Sequence, residues 1–125
     1  MKKIVKTDRA PAPVGPYSQA VISGKFIFTA GQIAINAENG ELERAEIKLQ
    51  TDQVIRNLRA VLEKAGSELS KVVKTTVFLK NMDDFGAMNE VYARYFTGDP
   101  PARSAVEVSR LPKDVLVEIE CIAIT

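Results

Sequence analysis

Between Glu46 and Ala65, apolar side chains recur at Ile47, Val54, Leu58, Val61, Leu62 and Ala65, among others. That spacing gathers them on one face of an α-helix, and Gly66 suits the left-handed residue that ends one. No Ser, Thr, Asp or Asn stands where its cap would be. A second helix is predicted with Phe85, Met88, Tyr92, Tyr95 and Phe96 on its inner face and Asp83 or Asp84 as cap. Asp99-Pro100-Pro101 stops it, because the residue before a proline avoids helical geometry. Val72–Leu79 between the helices is rich in β-branched residues and reads as a strand. Lys3–Lys6 reads as a short first strand. Tyr17–Ser23 and Phe26–Ala30 flank Gly24-Lys25, a hairpin signal with glycine at the first turn position. Residues 10–16 hold three prolines and a glycine and make an extended loop, and residues 36–41 make a turn. Ser104–Val108 and Val115–Ile124 are the last strands.

The predicted order is β-β-β-α-β-α-β-β, an α+β fold: one mixed sheet of about six strands with both helices on one face. Two helices cannot cover both faces. In the last strand Val117, Ile119, Cys121 and Ala123 alternate to one side, while Leu116, Glu118, Glu120, Ile122 and Ile124 take the other. The second side is too apolar for a solvated face and still carries two carboxylates. A second subunit is the expected cover.

The chain has 125 residues, with 46% hydrophobic and 26% charged. That suits a single domain over residues 1–125 with a core of its own and excludes a disordered chain. The formal net charge of +1 argues against a dedicated nucleic-acid binder. There is no histidine, so Ser-His-Asp and Cys-His catalysis and His-containing metal sites are excluded. Cys121 is the only cysteine, which leaves no intramolecular disulfide and no cysteine zinc cluster and fits a reducing cytoplasm. No leader-like apolar run follows the basic first residues, and no stretch approaches 18 apolar residues. A soluble cytoplasmic protein with no metal, no cofactor and no membrane partner is the expectation.

Candidate chemistry is sparse. Glu118 and Glu120 share a strand face about 7 Å apart. They are either rim carboxylates or a carboxylate in a cleft that positions water, and alternation does not say which of the two would do so. Arg103 follows Pro100-Pro101-Ala102; it is either a surface arginine or a guanidinium held to grip a substrate carboxylate. Tyr17 stands where a stiff loop enters a strand, as a core aromatic or a pocket wall. Gly31, after Ala30, would let a ligand approach the backbone, or simply make a turn. Cys121 alternates with the core set and reads as a small buried hydrophobe.

Several segments together resemble the RidA/YjgF family. They are Gly15-Pro16-Tyr17-Ser18-Gln19-Ala20, Ala30-Gly31-Gln32-Ile33, Asn89-Glu90-Val91-Tyr92, and Pro101-Ala102-Arg103-Ser104 with Val106-Glu107-Val108. Leu111-Pro112-Lys113-Asp114 and Val117-Glu118-Ile119-Glu120 complete the series in order. The family is named for reactive intermediate deaminase A, and some members have been described as translation inhibitors or single-strand ribonucleases. The resemblance implies a chorismate-mutase-like fold and a homotrimer with clefts between subunits. It also implies cofactor-free hydrolysis of enamine and imine intermediates, of the 2-aminoacrylate and 2-iminobutyrate class, to 2-keto acids and ammonia. By the same resemblance Arg103 would hold the substrate carboxylate and Glu118 would activate water. Tyr17 and the Ala30-Gly31 backbone would line the pocket. Asn89 matches a recurrent position without an assigned step. Many relatives carry cysteine where this chain has Ala105, so a thiol there is not required, and the Ala105 backbone remains to bind the imine nitrogen. An RNA-directed activity and a non-catalytic ligand-binding trimer are the competing readings.

Overall fold

The computed structural model describes residues 1–125. Six strands, β1 (Lys2–Val5), β2 (Ala20–Ser23), β3 (Phe26–Thr29), β4 (Val72–Leu79), β5 (Ala102–Glu107) and β6 (Val117–Ile124), form one sheet in the order β1-β2-β3-β6-β4-β5. Only the β4–β5 pair is parallel, so the sheet is mixed, as expected. Helices α1 (Ile47–Lys64) and α2 (Phe85–Tyr95) join β3 to β4 and β4 to β5.

Local signals explain most boundaries. Gly24 sits at φ +60° while Lys25 does not take a positive φ, which is the II′ geometry that matches strand twist. Helix α1 ends in a Schellman motif: Gly66 N–H donates to Glu63 O at 3.0 Å and Ser67 N–H to Leu62 O at 2.9 Å. Ser67 Oγ then donates to Ile124 O at 2.6 Å, tying the helix end to the end of β6.

Four expectations need correction. Strand β2 starts at Ala20 rather than Tyr17. Tyr17 N–H is used locally on Gly15 O at 3.0 Å, so that stretch is a tight turn. Strand β6 starts at Val117 rather than Val115, because Lys113 and Asp114 are left-handed (φ 55° and 56°) and prevent an extended entry. Neither Asp83 nor Asp84 caps α2 through its side chain. Asn81 Oδ1 instead accepts from Asp83 N–H at 2.9 Å and caps a short 3-10 turn, Met82–Asp84, that leads into the helix. Strand β5 begins two residues earlier than predicted, at Ala102.

Strand alternation divides the sheet as expected. Val77, Leu79, Val117, Ile119, Cys121 and Ala123 face the helices and are buried against Val54, Leu58, Val61 and Leu62 of α1 and Met88 of α2. Thr75 lies in the same layer, its Oγ1 2.7 Å from Tyr92 Oη. The other face has no cover within the chain. Phe26 and Phe28 are 41% and 44% exposed there, with Ile122 and Ile124 beside them on β6. Leu58 is fully buried at the centre of the helix–sheet layer. Leu58→Ala is expected to cost about 2–5 kcal/mol in urea unfolding, as a large-to-small core truncation does. A loss under about 1 kcal/mol would contradict this placement.

Candidate active site

The site begins with one isolated pairing. Gln32 N–H donates to Ile119 O at 2.9 Å and Ile119 N–H to Gln32 O at 3.2 Å, which lays the chain after β3 alongside β6. Glu118 projects to the open face directly over Gly31. A Cβ at Gly31 would stand 2.8 Å from Glu118 Cδ and overlap its carboxylate. The bare glycine thus leaves the room in which the Glu118 carboxylate sits, so that a side chain there would displace it, and its φ is not positive.

Two buried amides hold the neighbouring loops. Gln19 accepts Thr7 N–H at Oε1 (2.7 Å) and donates from Nε2 to Thr7 O and Pro11 O, both at 2.9 Å. Asn57 donates from Nδ2 to Ile33 O (3.1 Å) and Ile35 O (2.9 Å). The proline-rich loop and residues 33–35 thus become fixed walls.

These walls enclose a cavity of about 560 Å³ lined by Tyr17, Ala30, Gly31 and Glu118, with Val14 and Lys113 at its sides. Tyr17 is 51% exposed, so it is a pocket wall and not a core aromatic. Its Oη accepts Val14 N–H at 3.3 Å. Glu118 is half-buried and outside the chain's ion pairs, which join Arg9–Glu63, Lys48–Glu90, Arg56–Asp52 and Arg110–Asp114. Burial, reinforced by the like charge of Glu120, holds its carboxyl above the usual range. Glu120 itself is exposed and does not line the cavity. The environment therefore separates two carboxylates that alternation left equivalent.

Arg103 and Ala105 are not brought to this cavity within one chain. Arg103 is paired with Thr75 and Ala105 with Val77, both of which face the helices, whereas Glu118 faces away from them. On its own side of the sheet Arg103 is held firmly. Its Nη1 donates to Asn89 Oδ1 at 2.7 Å, and its Cζ lies 4.7 Å from the Tyr92 ring centroid and 5.3 Å from that of Phe85. Strand β5 is the sheet edge, so this arginine stands at the rim of the chain.

Sequence reasoning assigned no role to Lys113. It lines the Glu118 cavity in a left-handed conformation that non-glycine residues rarely adopt. The adjoining Asp114 is gripped by Arg110 through Nε–Oδ1 (2.9 Å) and Nη2–Oδ2 (3.3 Å), which helps hold the turn. The signal available beforehand was the Leu111-Pro112-Lys113-Asp114 segment, which does not reveal φ. Cys121 is buried, with its thiol pushed up to about 11 by burial, and takes no part in the cavity. No cluster of three or more Cys, Asp or Glu is placed to hold a metal ion, and no helix is long and apolar enough to cross a membrane.

The six-stranded mixed sheet with two helices on one face is the α+β fold of the YjgF/L-PSP proteins. A family model described as Endoribonuclease L-PSP matches residues 7–125. The chain belongs to that family, and the resemblance to RidA/YjgF drawn from the sequence holds. A RutC family protein of Pyrococcus horikoshii is 58% identical over 123 residues, spanning 98% of each chain. A protein of the Rid family from Yersinia pestis, YyfA, superposes with a TM-score of 0.98 at 47% identity and full coverage of both chains. The E. coli protein TdcF, solved with bound serine, gives a TM-score of 0.94 at 41% identity over 98% of both chains.

The raised Glu118 pKa has a consequence for stability. Below the ordinary value of 4.5 the carboxyl is protonated in both folded and unfolded chains and costs nothing. As pH rises from there to the elevated folded value, the unfolded chain ionises first and folded stability falls. Glu118→Gln has no such loss, so its thermal stability relative to the native sequence should improve between pH 4 and pH 7. A difference in Tm that stays constant across that range would contradict the burial of this carboxylate.

Proposed function

We propose that the protein hydrolyses reactive 2-enamino and 2-imino acids of the 2-aminoacrylate and 2-iminobutyrate class to 2-keto acids and ammonia. The observation that carries this reading is Glu118: an unpaired, half-buried carboxylate with a raised pKa, seated in a cavity over a bare glycine backbone. A 2-enamino acid enters as its 2-imino tautomer, the nitrogen giving up a proton as C3 gains one from water. The imine is then electrophilic at C2, so hydrolysis asks for orientation, a water and a proton carrier rather than a strong nucleophile. Water adds to C2 while Glu118 takes its proton, and the same proton passes to the imine nitrogen as the carbinolamine forms. Collapse to the keto acid then breaks the C–N bond. The hydroxyl proton passes through the carboxylate to the departing nitrogen, which leaves as ammonia. No redox change occurs, and none of the steps needs histidine, which the chain lacks.

Arg103 is the proposed grip for the substrate carboxylate, with Tyr17, Ala30 and Gly31 lining the cavity and the Ala105 backbone serving the nitrogen. Arg103 and Glu118 lie on opposite faces of one sheet, so a joint site requires Arg103 of one copy to approach Glu118 of another. The apolar open face carrying Phe26, Phe28, Ile122 and Ile124 supports such an assembly, and a homotrimer with inter-subunit sites is the proposed form. That TdcF holds serine supports a small amino-acid-like ligand. The formal charge of +1 and the missing histidines weigh against the nuclease reading carried by the family's description.

Light scattering at micromolar concentration should give about three times the monomer mass of 13.7 kDa, and a monodisperse monomer would remove the shared site. Kinetics on enzymatically generated 2-iminobutyrate test the roles. Arg103→Lys should lower kcat/KM at least about tenfold, since lysine offers a point charge in place of a planar fork. Glu118→Gln should lower kcat more than it weakens substrate binding. Near-native turnover in both folded variants would eliminate the proposed chemistry, and RNA cleavage abolished by Arg103→Ala would put the nuclease reading in its place.

A further inference from the structure

Asn89 lies in one of the matched segments, contacts a proposed site residue and has no role of its own. Phe85, Asn89 and Tyr92 are spaced four and three residues apart, so they share one face of α2. That face meets the Arg103 guanidinium. Asn89 Oδ1 takes the Nη1 donor at 2.7 Å, and the Tyr92 and Phe85 rings lie 4.7 and 5.3 Å away. Tyr92 is in turn fixed by its Oη, 2.7 Å from Oγ1 of the fully buried Thr75. Thr75 is also the cross-strand partner of Arg103, so both ends of the arrangement are anchored to the β4–β5 register.

The chemistry of the tether matters as much as its geometry. Arg103 is absent from the chain's ion pairs, and its charge is met here by a neutral amide and two ring faces. A guanidinium has five N–H donors in a rigid fork. One donor given to a neutral oxygen fixes the plane and leaves the others, and the full positive charge, available. A carboxylate at the same place would form a charge-assisted pair and compete with an incoming carboxylate for that fork. Resting on the reading of Arg103 as a carboxylate grip, we propose that Asn89 is a positioning residue that aims Arg103, and that it serves because its acceptor is uncharged.

Asn89→Asp and Asn89→Ala separate charge from tethering. Both are measured for turnover of 2-iminobutyrate and for calorimetric binding of 2-oxobutyrate, which presents the same carboxylate. Asn89→Asp should raise KM and the 2-oxobutyrate Kd at least about tenfold, with kcat changed less than about threefold and Tm unchanged or higher. Asn89→Ala, which loosens the arginine without neutralising it, should raise KM less than the aspartate does. A purely structural residue gives the reverse order, because aspartate would hold Arg103 at least as well as asparagine. Aspartate tolerated with native KM, or alanine more harmful than aspartate, overturns the proposal. Should Asn89→Asp fail to fold, the alanine variant decides: raised KM at kept kcat supports positioning, and native KM overturns it. Native sequence that binds 2-oxobutyrate but hydrolyses no imine, with Asn89→Asp weakening that binding, would sink the hydrolase reading and keep this one. Active native sequence with both variants unchanged would do the opposite.

Discussion

Everything in this molecule depends on β6 lying between β3 and β4 with a fixed register. A strand paired on both sides cannot slip by one residue without turning its core set outward. Val117, Ile119, Cys121 and Ala123 are buried against the helices, and that burial forces the intervening Glu118 onto the opposite face. The hydrophobic core therefore aims the carboxylate. The short Gln32–Ile119 pairing adds the missing wall by bringing Gly31 beneath the side chain.

Polar groups complete what the sheet begins. Gln19 and Asn57 are nearly inaccessible to solvent, and each spends its amide on loop carbonyls that have no strand partner. Loops that would otherwise carry unsatisfied backbone groups are fixed at the pocket edge in this way. Arg103 is held by different means, one neutral hydrogen bond and two rings, on the far side of the sheet. The contrast is informative: a carboxylate made more basic by burial on one face, a cation left uncompensated on the other.

Much of this was legible in the sequence because it rests on periodicity. The helix faces, the II′ hairpin at Gly24, the helix stop at Gly66 and the two-sided character of β6 follow from spacing and from one residue's conformational freedom. Periodicity could not choose between Glu118 and Glu120, and only the motif resemblance did, because both occupy the same face and the Gln32–Ile119 pairing, far apart in sequence, covers one of them. The separation of Arg103 from Glu118 is also invisible to motif matching, which orders residues along the chain and says nothing of which side of a sheet they take. The false starts of β2 and β6 have local causes. A Tyr17–Gly15 turn and two consecutive left-handed residues override apolar runs that look extendable.

The sheet's two margins bear on how this protein keeps out of fibrils. Edge strand β1 opens with Lys2 and Lys3, and edge strand β5 carries Arg103 and Glu107. Strand-by-strand stacking of one molecule on the next would bring lysines against lysines or would have to displace charged side chains from their partners. Open-ended growth through the margins is thereby disfavoured, while the apolar face remains available for contact. Charge on the edges and hydrocarbon on the face together channel self-association away from the one geometry that has no natural end.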